Sequence, residues 1–401
     1  MAGKIKTREI ANGSMVIGEA VRAANPGVVA AFPITPQTHI VEHLGHMIAD
    51  GKLDSEYVLG DSEFSVASVL YGASVAGVRS YTATASQGFL LMHEVLFNMA
   101  GTRLPTVFTA VNRSLSPPIN IQLDHQDTMS LRDPGLIQIY VENMQEAYNT
   151  HIQAFRIAEH NDVMLPVLVC TDGFILTHAY EPVTFLEDEA IRDFIPDFNP
   201  QYKADSKNPL TWGSHADDDK IMEFRYMVDQ ALSNSKKVIT EVAEDFRDRF
   251  GMFNGALVEE YKTDDAEIII VGMGSMVSTI KAAIDIIREE QGVKVGLLKV
   301  RSYRPFPGAE IAKCLKKAEV AAVLDRSVSF GIGGILGSEI KSHLYNEKDV
   351  PPVISYIAGL GGREINVEAV RKLVADIQNR MDKDALPLDS VYFDLNEDLI
   401  P

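Results

Sequence analysis

Short apolar runs alternate with stretches of helical periodicity along most of this chain. Val28 to Phe32 leads through Pro33-Ile-Thr-Pro36 into a helix from about Thr38. Ser80 to Ala85 leads through Ser86-Gln87-Gly88 into a helix from Phe89 to Ala100. Pro105 to Val111 and Leu165 to Thr171 read as two further strands, the second after a helical stretch from Gln145 to His160. Strands that are apolar on both faces and separated by helices predict an α/β fold, a doubly wound parallel sheet with helices on both sides. The ligand crevice of such a sheet lies at the carboxyl ends of its strands. That places Thr35, Ser86, Gln87 and Arg113 on one rim.

From about Glu181 to Lys262 the alternation breaks. This region carries the only tryptophan, Trp212, and turns helical from about Asp217 to Phe250, as expected of a connector packed on the first domain. A second strand and helix series then runs through Glu267 to Ser275, Val293 to Val300, Val320 to Leu324 and Pro352 to Ile357. The expected organisation is a domain over 1–262 that includes the connector from about 181, a smaller doubly wound domain over 263–381, and a C-terminal arm over 382–401. The turns Gly272-Met-Gly-Ser275 and Gly331-Ile-Gly-Gly334 precede helices and could bind phosphate. Neither matches GxGxxG or a Walker A pattern, so tight turns are the expected use. The arm carries Val391, Tyr392, Phe393, Leu395, Leu399 and Ile400. Apolar residues at that density need a surface, expected to be a partner subunit or a second copy.

One helix stands apart. After Gly60-Asp61-Ser62-Glu63 the chain reads Phe64, Val66, Ala67, Val69, Leu70, Tyr71, Ala73, Val75 and Ala76, apolar nearly all round. Such a helix is expected to be buried on every side. Asp61 or Ser62 would cap it, leaving Glu63 at a buried N-terminus where a carboxylate needs a partner. Glu63 either completes the cap or handles a ligand proton.

Composition narrows the classes. With 401 residues, two cores are expected. The formal charge of −19 argues against a nucleic-acid groove or an anionic membrane surface. No apolar run could span a bilayer and the N-terminus has no signal core, so a cytoplasmic location is expected. Cys170 and Cys314 are the only cysteines, far apart, which leaves no zinc knuckle or iron–sulfur pattern. If clusters are involved, another chain carries them.

Three constellations remain. His39, His43 and His46 with Glu42 share one helix face, but there is no HExxH and three ligands on a straight helix splay over about two turns. Solvated or hydrogen-bonded histidines are the expected reading, and no metal is assigned to this chain. Arg113, in Asn112-Arg-Ser-Leu-Ser-Pro-Pro118, could hold a carboxylate or phosphate through both arms of its guanidinium, or could pair internally with Asp124 or Asp127. Thr35, between Pro33 and Pro36, belongs either to a rigid loop or to the same crevice. A metal-dependent hydrolase on the histidine face and a non-catalytic scaffold are the readings from other classes.

The chain as a whole resembles a known family. Phe32-Pro-Ile-Thr-Pro-Gln-Thr38, Asp61-Ser-Glu63, Ser80 through Glu94, Val111-Asn-Arg-Ser114, Asp124-His-Gln-Asp127, Asn143-Met-Gln-Glu-Ala147 and Asp172-Gly-Phe174 resemble the α subunit of 2-oxoacid:ferredoxin oxidoreductases, the pyruvate enzymes most closely. Ser302-Tyr-Arg-Pro-Phe-Pro307 and Ser329-Phe-Gly-Ile-Gly-Gly334 resemble the family's transketolase C-terminal-like domain.

This resemblance implies a pyrimidine-binding domain for thiamine diphosphate in residues 1–262 and an enzyme that needs partner chains. It implies that Glu63 bonds the aminopyrimidine N1′, favouring the tautomer that deprotonates thiazolium C2. It further implies that Thr35 and Arg113 hold the substrate carboxylate and that Ser86 and Gln87 contact the cofactor. The implied reaction is oxidative decarboxylation of a 2-oxoacid with coenzyme A as acyl acceptor and ferredoxin or a similar acceptor for the electrons. Gly60-Asp61-Ser62 and Thr171-Asp172-Gly173 are only fragments of the diphosphate and Mg2+ motif. A β subunit is therefore expected to hold that half of the cofactor, and γ and δ-type subunits to carry or support [4Fe-4S] clusters. Gln122, Leu123 and Gln126 depart from the commonest pyruvate pattern and leave the choice among aliphatic, branched and aromatic 2-oxoacids open.

Overall fold

A computed structural model describes residues 4–383 and 385–400. Two sheets carry the chain. The first has seven strands, in edge-to-edge order Ser302–Arg304, Ile137–Tyr140, Val167–Asp172, Val107–Asn112, Ser80–Thr84, Val28–Ala31 and Glu56–Leu59. All neighbours are parallel except the edge strand Ser302–Arg304, which runs antiparallel to Ile137–Tyr140. The second sheet has six strands, in the order Val391–Tyr392, Val353–Ile357, Val320–Asp325, Ile268–Gly272, Val295–Val300 and Val258–Tyr261, the last of them antiparallel. A separate ribbon pairs Ile5–Asn12 with Tyr180–Leu186.

The parallel strands expected from apolar runs are all present within a few residues. The connector helix runs Ile221–Phe250 and packs against helix Met144–Ala158, with Phe246 and Phe250 in the same buried cluster as Phe155. That cluster covers one face of the first sheet. A second cluster is shared by both sheets: Phe89, Met92 and Leu96 meet Ile269, Val271, Leu298 and Leu336 in one continuous core. Burial of that much apolar surface fixes the two sheets against each other. Charged groups also cross the junction. Glu146, fully buried, accepts from Lys299 Nζ at 2.7 Å and from Arg301 Nε at 3.1 Å. Burial alone would lower the Lys299 pKa, but the Glu146, Glu142 and Glu259 carboxylates raise it above its ordinary value.

One expectation is corrected and another is narrowed. Helix Glu63–Val75 forms and is capped by Ser62, whose side chain accepts from Ser65 N, but only Glu63, Val66, Ala67, Leu70 and Ser74 are buried along it. Its other face is open: Phe64 is 41% exposed, and the neighbouring helix Gln87–Gly101 presents Leu90, Leu91 and Phe97 beside it. An all-round apolar helix needs two surfaces, and this chain supplies one. The C-terminal arm, expected to lie on a partner subunit or a second copy, begins by extending the chain's own second sheet. Val391 and Tyr392 pair with Tyr356 and Ile357, and Phe393 packs edge-on against Tyr356 at 6.1 Å. Leu388, Tyr392, Leu395, Leu399 and Ile400 remain exposed.

Candidate active site

Four neighbouring parallel strands end on one rim and deliver the residues singled out from sequence. Val28–Ala31 leads to Thr35, Glu56–Leu59 to Glu63, Ser80–Thr84 to Ser86 and Gln87, and Val107–Asn112 to Arg113. Contacts join them in a continuous series. Arg113 Nη1 donates to the Thr35 carbonyl at 2.9 Å. The backbone N–H groups of Arg113 and Ser86 both donate to Asp127 Oδ2 at 3.0 Å. Two residues past Ser86, a Cβ on Gly88 would overlap Thr84 Oγ1 and stand 2.8 Å from Glu63 Oε1. Only glycine lets the helix approach that carboxylate so closely.

Glu63 is 7% exposed, and no hydrogen bond or ion pair from another described residue reaches its carboxylate. The cap is completed by Ser62, so Glu63 is left over from that role. Beside it Thr84 Oγ1 is buried without a partner. A free carboxylate at a helix N-terminus, next to an orphaned hydroxyl and a glycine-lined approach, is suited to a polar, partly flat ligand that both donates and accepts hydrogen bonds. The aminopyrimidine half of thiamine diphosphate is such a group.

Of the two readings left open for Arg113, the internal ion pair with Asp124 or Asp127 does not form. The guanidinium donates to two carbonyls, Thr35 O and, at 3.4 Å, Asn120 O, and meets no carboxylate among the described residues. Arg113 is 8% exposed, and a positive charge so buried is costly without a counter-ion. Asp127, a candidate partner, serves the backbone instead. It takes the two N–H groups already named, Asn112 Nδ2 at 2.9 Å and Thr128 N at 2.8 Å. Burial pushes the Asp127 carboxyl up to about 6, and these N–H donors oppose the rise. Sequence reasoning missed this bracing role, although Asp127 lies in one of the motifs that carried the resemblance.

Ser86 is fully buried at a left-handed φ of 52°, uncommon for a residue with a side chain. Asp127 holds its N–H, and its hydroxyl donates to Ser114 O at 2.6 Å. Gln87 is half-buried and reaches Ser116 O at 3.4 Å. Thr35 is exposed.

Other motifs find internal uses. Ser275, at the end of the Gly-Met-Gly-Ser turn, gives its N–H and hydroxyl to Asp172 at 2.8 and 2.5 Å. Asp172 also bonds His125 Nε2 at 2.9 Å and Arg326 Nη1 at 2.8 Å. Burial would raise its pKa, but His125, Arg326 and Ser275 together hold it well below the usual carboxylate range. Past the second glycine turn, Leu336 N donates to the buried Asp325 at 2.6 Å. Each turn thus meets an internal carboxylate. The three histidines have separate surroundings: His39 lies against His178 at 5.1 Å, His43 faces Glu19 at 3.7 Å, and His46 is exposed. A cavity of about 730 Å³ lies elsewhere, between Phe97–Pro105 and the connector around Trp212, and contains none of the site residues. No helix among the described residues is long and apolar enough to cross a membrane.

Residues 19–244 match the family described as pyruvate flavodoxin/ferredoxin oxidoreductase, thiamine diphosphate-binding, and residues 266–370 match pyruvate:ferredoxin oxidoreductase core domain II. Over 98% of its length the chain is 45% identical to pyruvate synthase subunit PorA of Methanosarcina barkeri, of which it covers 98%. It is 44% identical to the PorA subunit of Thermotoga maritima over 94% of this chain and 96% of that one. It is 40% identical to ketoisovalerate oxidoreductase subunit VorA of Pyrococcus abyssi over 97% of this chain and 98% of that one. In fold it is similar to a 2-oxoglutarate:ferredoxin oxidoreductase from Magnetococcus marinus, with a TM-score of 0.69 at 17% identity, covering 92% of this chain and 65% of that one. With two family matches in series and such identity along nearly its whole length, the chain belongs to the 2-oxoacid:ferredoxin oxidoreductases as an α-type subunit.

Proposed function

We propose that this chain supplies the pyrimidine half of a thiamine diphosphate site and the substrate-carboxylate clamp of a multisubunit enzyme. The enzyme converts pyruvate and coenzyme A to acetyl-CoA and carbon dioxide and passes two electrons to ferredoxin or a similar acceptor. The observation that carries this reading is the pairing of two buried, oppositely charged groups on one rim, Glu63 and Arg113, each without a charged partner. Thiamine diphosphate, when bound, would supply the carbon nucleophile and the electron sink. Glu63 would accept a hydrogen bond from the pyrimidine N1′ edge, and its burial strengthens that contact. Arg113, with its Nη1 turned to Thr35 O, would present the rest of its fork to the carboxylate of the 2-oxoacid, with the Thr35 hydroxyl as second donor. Ser86 and Gln87 would form the wall between the two ligands.

Asp172 is engaged by four internal donors and is not free to hold a metal. This supports placing Mg2+ and the diphosphate on a β-type partner. The open face of Phe64, Leu90 and Leu91, on the helices that begin at Glu63 and Gln87, would be covered by that partner. The two buried cysteines support placing the clusters on γ and δ-type chains. The test is reconstitution. The chain alone should be inactive and colourless, and adding the partner chains should restore thiamine diphosphate binding, visible absorbance and turnover together. A panel of 2-oxoacids assayed with coenzyme A and a low-potential dye would then decide between pyruvate and a branched substrate, which the similarity to the ketoisovalerate subunit keeps in view. Iron and sulfide in stoichiometric amount in the single chain, or full activity without partners, would overturn the assignment.

A further inference from the structure

The second domain reaches into the substrate clamp. Its strand Val353–Ile357 ends in the turn Gly359-Leu-Gly-Gly362, which lies on the loop that follows Arg113. Asn120 is where the two meet. Its backbone carbonyl accepts from Arg113 Nε at 3.4 Å and from Ser114 Oγ at 3.1 Å. Its side chain faces both ways: Nδ2 donates to Gly361 O at 3.0 Å, and Oδ1 accepts from Gln122 N at 2.7 Å. Gly362 N adds a bond to Leu123 O at 2.7 Å, and Gly361 N one to Asp124 Oδ2 at 3.2 Å. There is no spare room. A Cβ on Gly361 would stand 2.6 Å from Asn120 Nδ2, and one on Gly362 would stand 2.5 Å from Gln122 Cβ. Both glycines have positive φ, 59° and 81°, so side chains are excluded there by backbone conformation as well as by space.

The loop is otherwise closed by Ser114 N, which donates to Gln122 O at 2.9 Å, and is touched by Ser86 and Gln87 at Ser114 O and Ser116 O. Ile119 is 78% exposed, and the stretch from Leu115 to Gln122 belongs to no helix or strand. A loop with few buried apolar contacts takes its order from such hydrogen bonds. Gln122 and Gln126, the positions that depart from the commonest family pattern, also face the second domain. Gln122 lies under Gly362, and Gln126 Oε1 accepts from Val328 N at 3.0 Å.

We infer that Asn120 is a positioning residue for Arg113, and that the Gly359–Gly362 turn of the second domain is a working part of the substrate-carboxylate clamp. The inference rests on the reading of Arg113 given above. Asn120→Ala keeps the carbonyl that Arg113 uses and removes the side chain that fixes it, so the guanidinium gains freedom without losing its charge. A catalytic group would affect kcat first, whereas a loosened clamp affects binding of the 2-oxoacid.

The test is a double-mutant cycle on the assembled complex. Asn120→Ala should raise KM for pyruvate about five- to tenfold, the scale of one net hydrogen bond, and change kcat by less than about twofold. Gly361→Ala, made in the other domain, should reproduce that split. In an Arg113→Ala background, adding Asn120→Ala should change KM by less than about twofold, because the group it positions is gone. Affinity for thiamine diphosphate should be the same in all variants. Equal, additive effects with and without Arg113, or a loss confined to kcat, would overturn the inference. An Arg113→Ala variant with wild-type KM would instead remove the clamp reading itself, so the two failures are distinguishable.

Discussion

Asp172 lies within Thr171-Asp172-Gly173, a fragment of a metal motif, yet its surroundings are those of a clamp between the two domains. Its Oδ2 takes Ser275 N, Ser275 Oγ and Arg326 Nη1, and its Oδ1 takes His125 Nε2. Replacement by asparagine keeps the shape but removes the charge and one acceptor oxygen. With the amide nitrogen at the Oδ2 position, Ser275 N and Arg326 Nη1 meet an N–H; at the Oδ1 position, His125 must change tautomer to present Nε2 as an acceptor. Arg326, whose side chain is 4% exposed, then has no carboxylate within ion-pair distance. Breaking a buried pair on one side costs about 3 to 5 kcal/mol. Against a total stability on the order of 5 to 15 kcal/mol, that is a large fraction. Urea unfolding of the full chain at neutral pH should show it as a lower midpoint. The pH dependence follows from the direction of the shift. The folded carboxyl is held below its unfolded value of 3.8, so its contribution is complete well above that value and is lost as pH falls below it. The gap between wild type and Asp172→Asn should therefore be widest near neutrality and close on acidification. A variant within about 1 kcal/mol of wild type at neutral pH, with impaired turnover restored by excess Mg2+, would refute the clamp and make Asp172 a metal ligand.

Two further outcomes test the rim. Arg113→Ala should lower kcat/KM for the 2-oxoacid by about thirtyfold or more and Arg113→Lys should recover only part, as expected when a two-armed, charge-assisted contact is lost; steady-state kinetics of the assembled complex would show wild-type values if Arg113 were only structural. Asp127, raised to about 6 by burial, should impose an acid limb on kcat/KM, because protonation removes acceptor capacity needed by Ser86 and Arg113. Its raised pKa means that folding stability falls as pH rises from about 4 to 6 while activity rises, and Asp127→Asn should lose the acid limb; an unchanged pH profile in that variant would reject the role.

Most of the parallel strands and the chemistry of the rim could be read from the chain, because buried strands between helices leave long apolar runs and the rim residues sit at strand ends. Thr35, Ser86, Gln87 and Arg113 are placed on the carboxyl side in this way, whereas Glu63 is marked only as a buried helix N-terminus, because the strand before it, Glu56–Leu59, is short and half-exposed. What escaped were elements with weak local signals. The edge strand Ser302–Arg304 is three residues long and is held by the first sheet from a distant part of the chain. The roles of Asp127 and Asp172 depend on partners up to 154 residues away, which no spacing rule encodes. The half-open helix Glu63–Val75 reads as wholly buried from sequence because an apolar face left open has the same composition as one turned to the core. Nor did the tail's apolar residues distinguish a foreign surface from the chain's own sheet edge.

The central claim is that Glu63, not needed for the helix cap and unpaired among the described residues, works on the cofactor. Its most direct test is turnover of the reconstituted complex carrying Glu63→Gln, with assembly and thiamine diphosphate binding measured on the same sample. The account predicts an assembled complex whose turnover has fallen by at least about a hundredfold, the scale of a lost acid–base group. Near-wild-type turnover in that complex would contradict it.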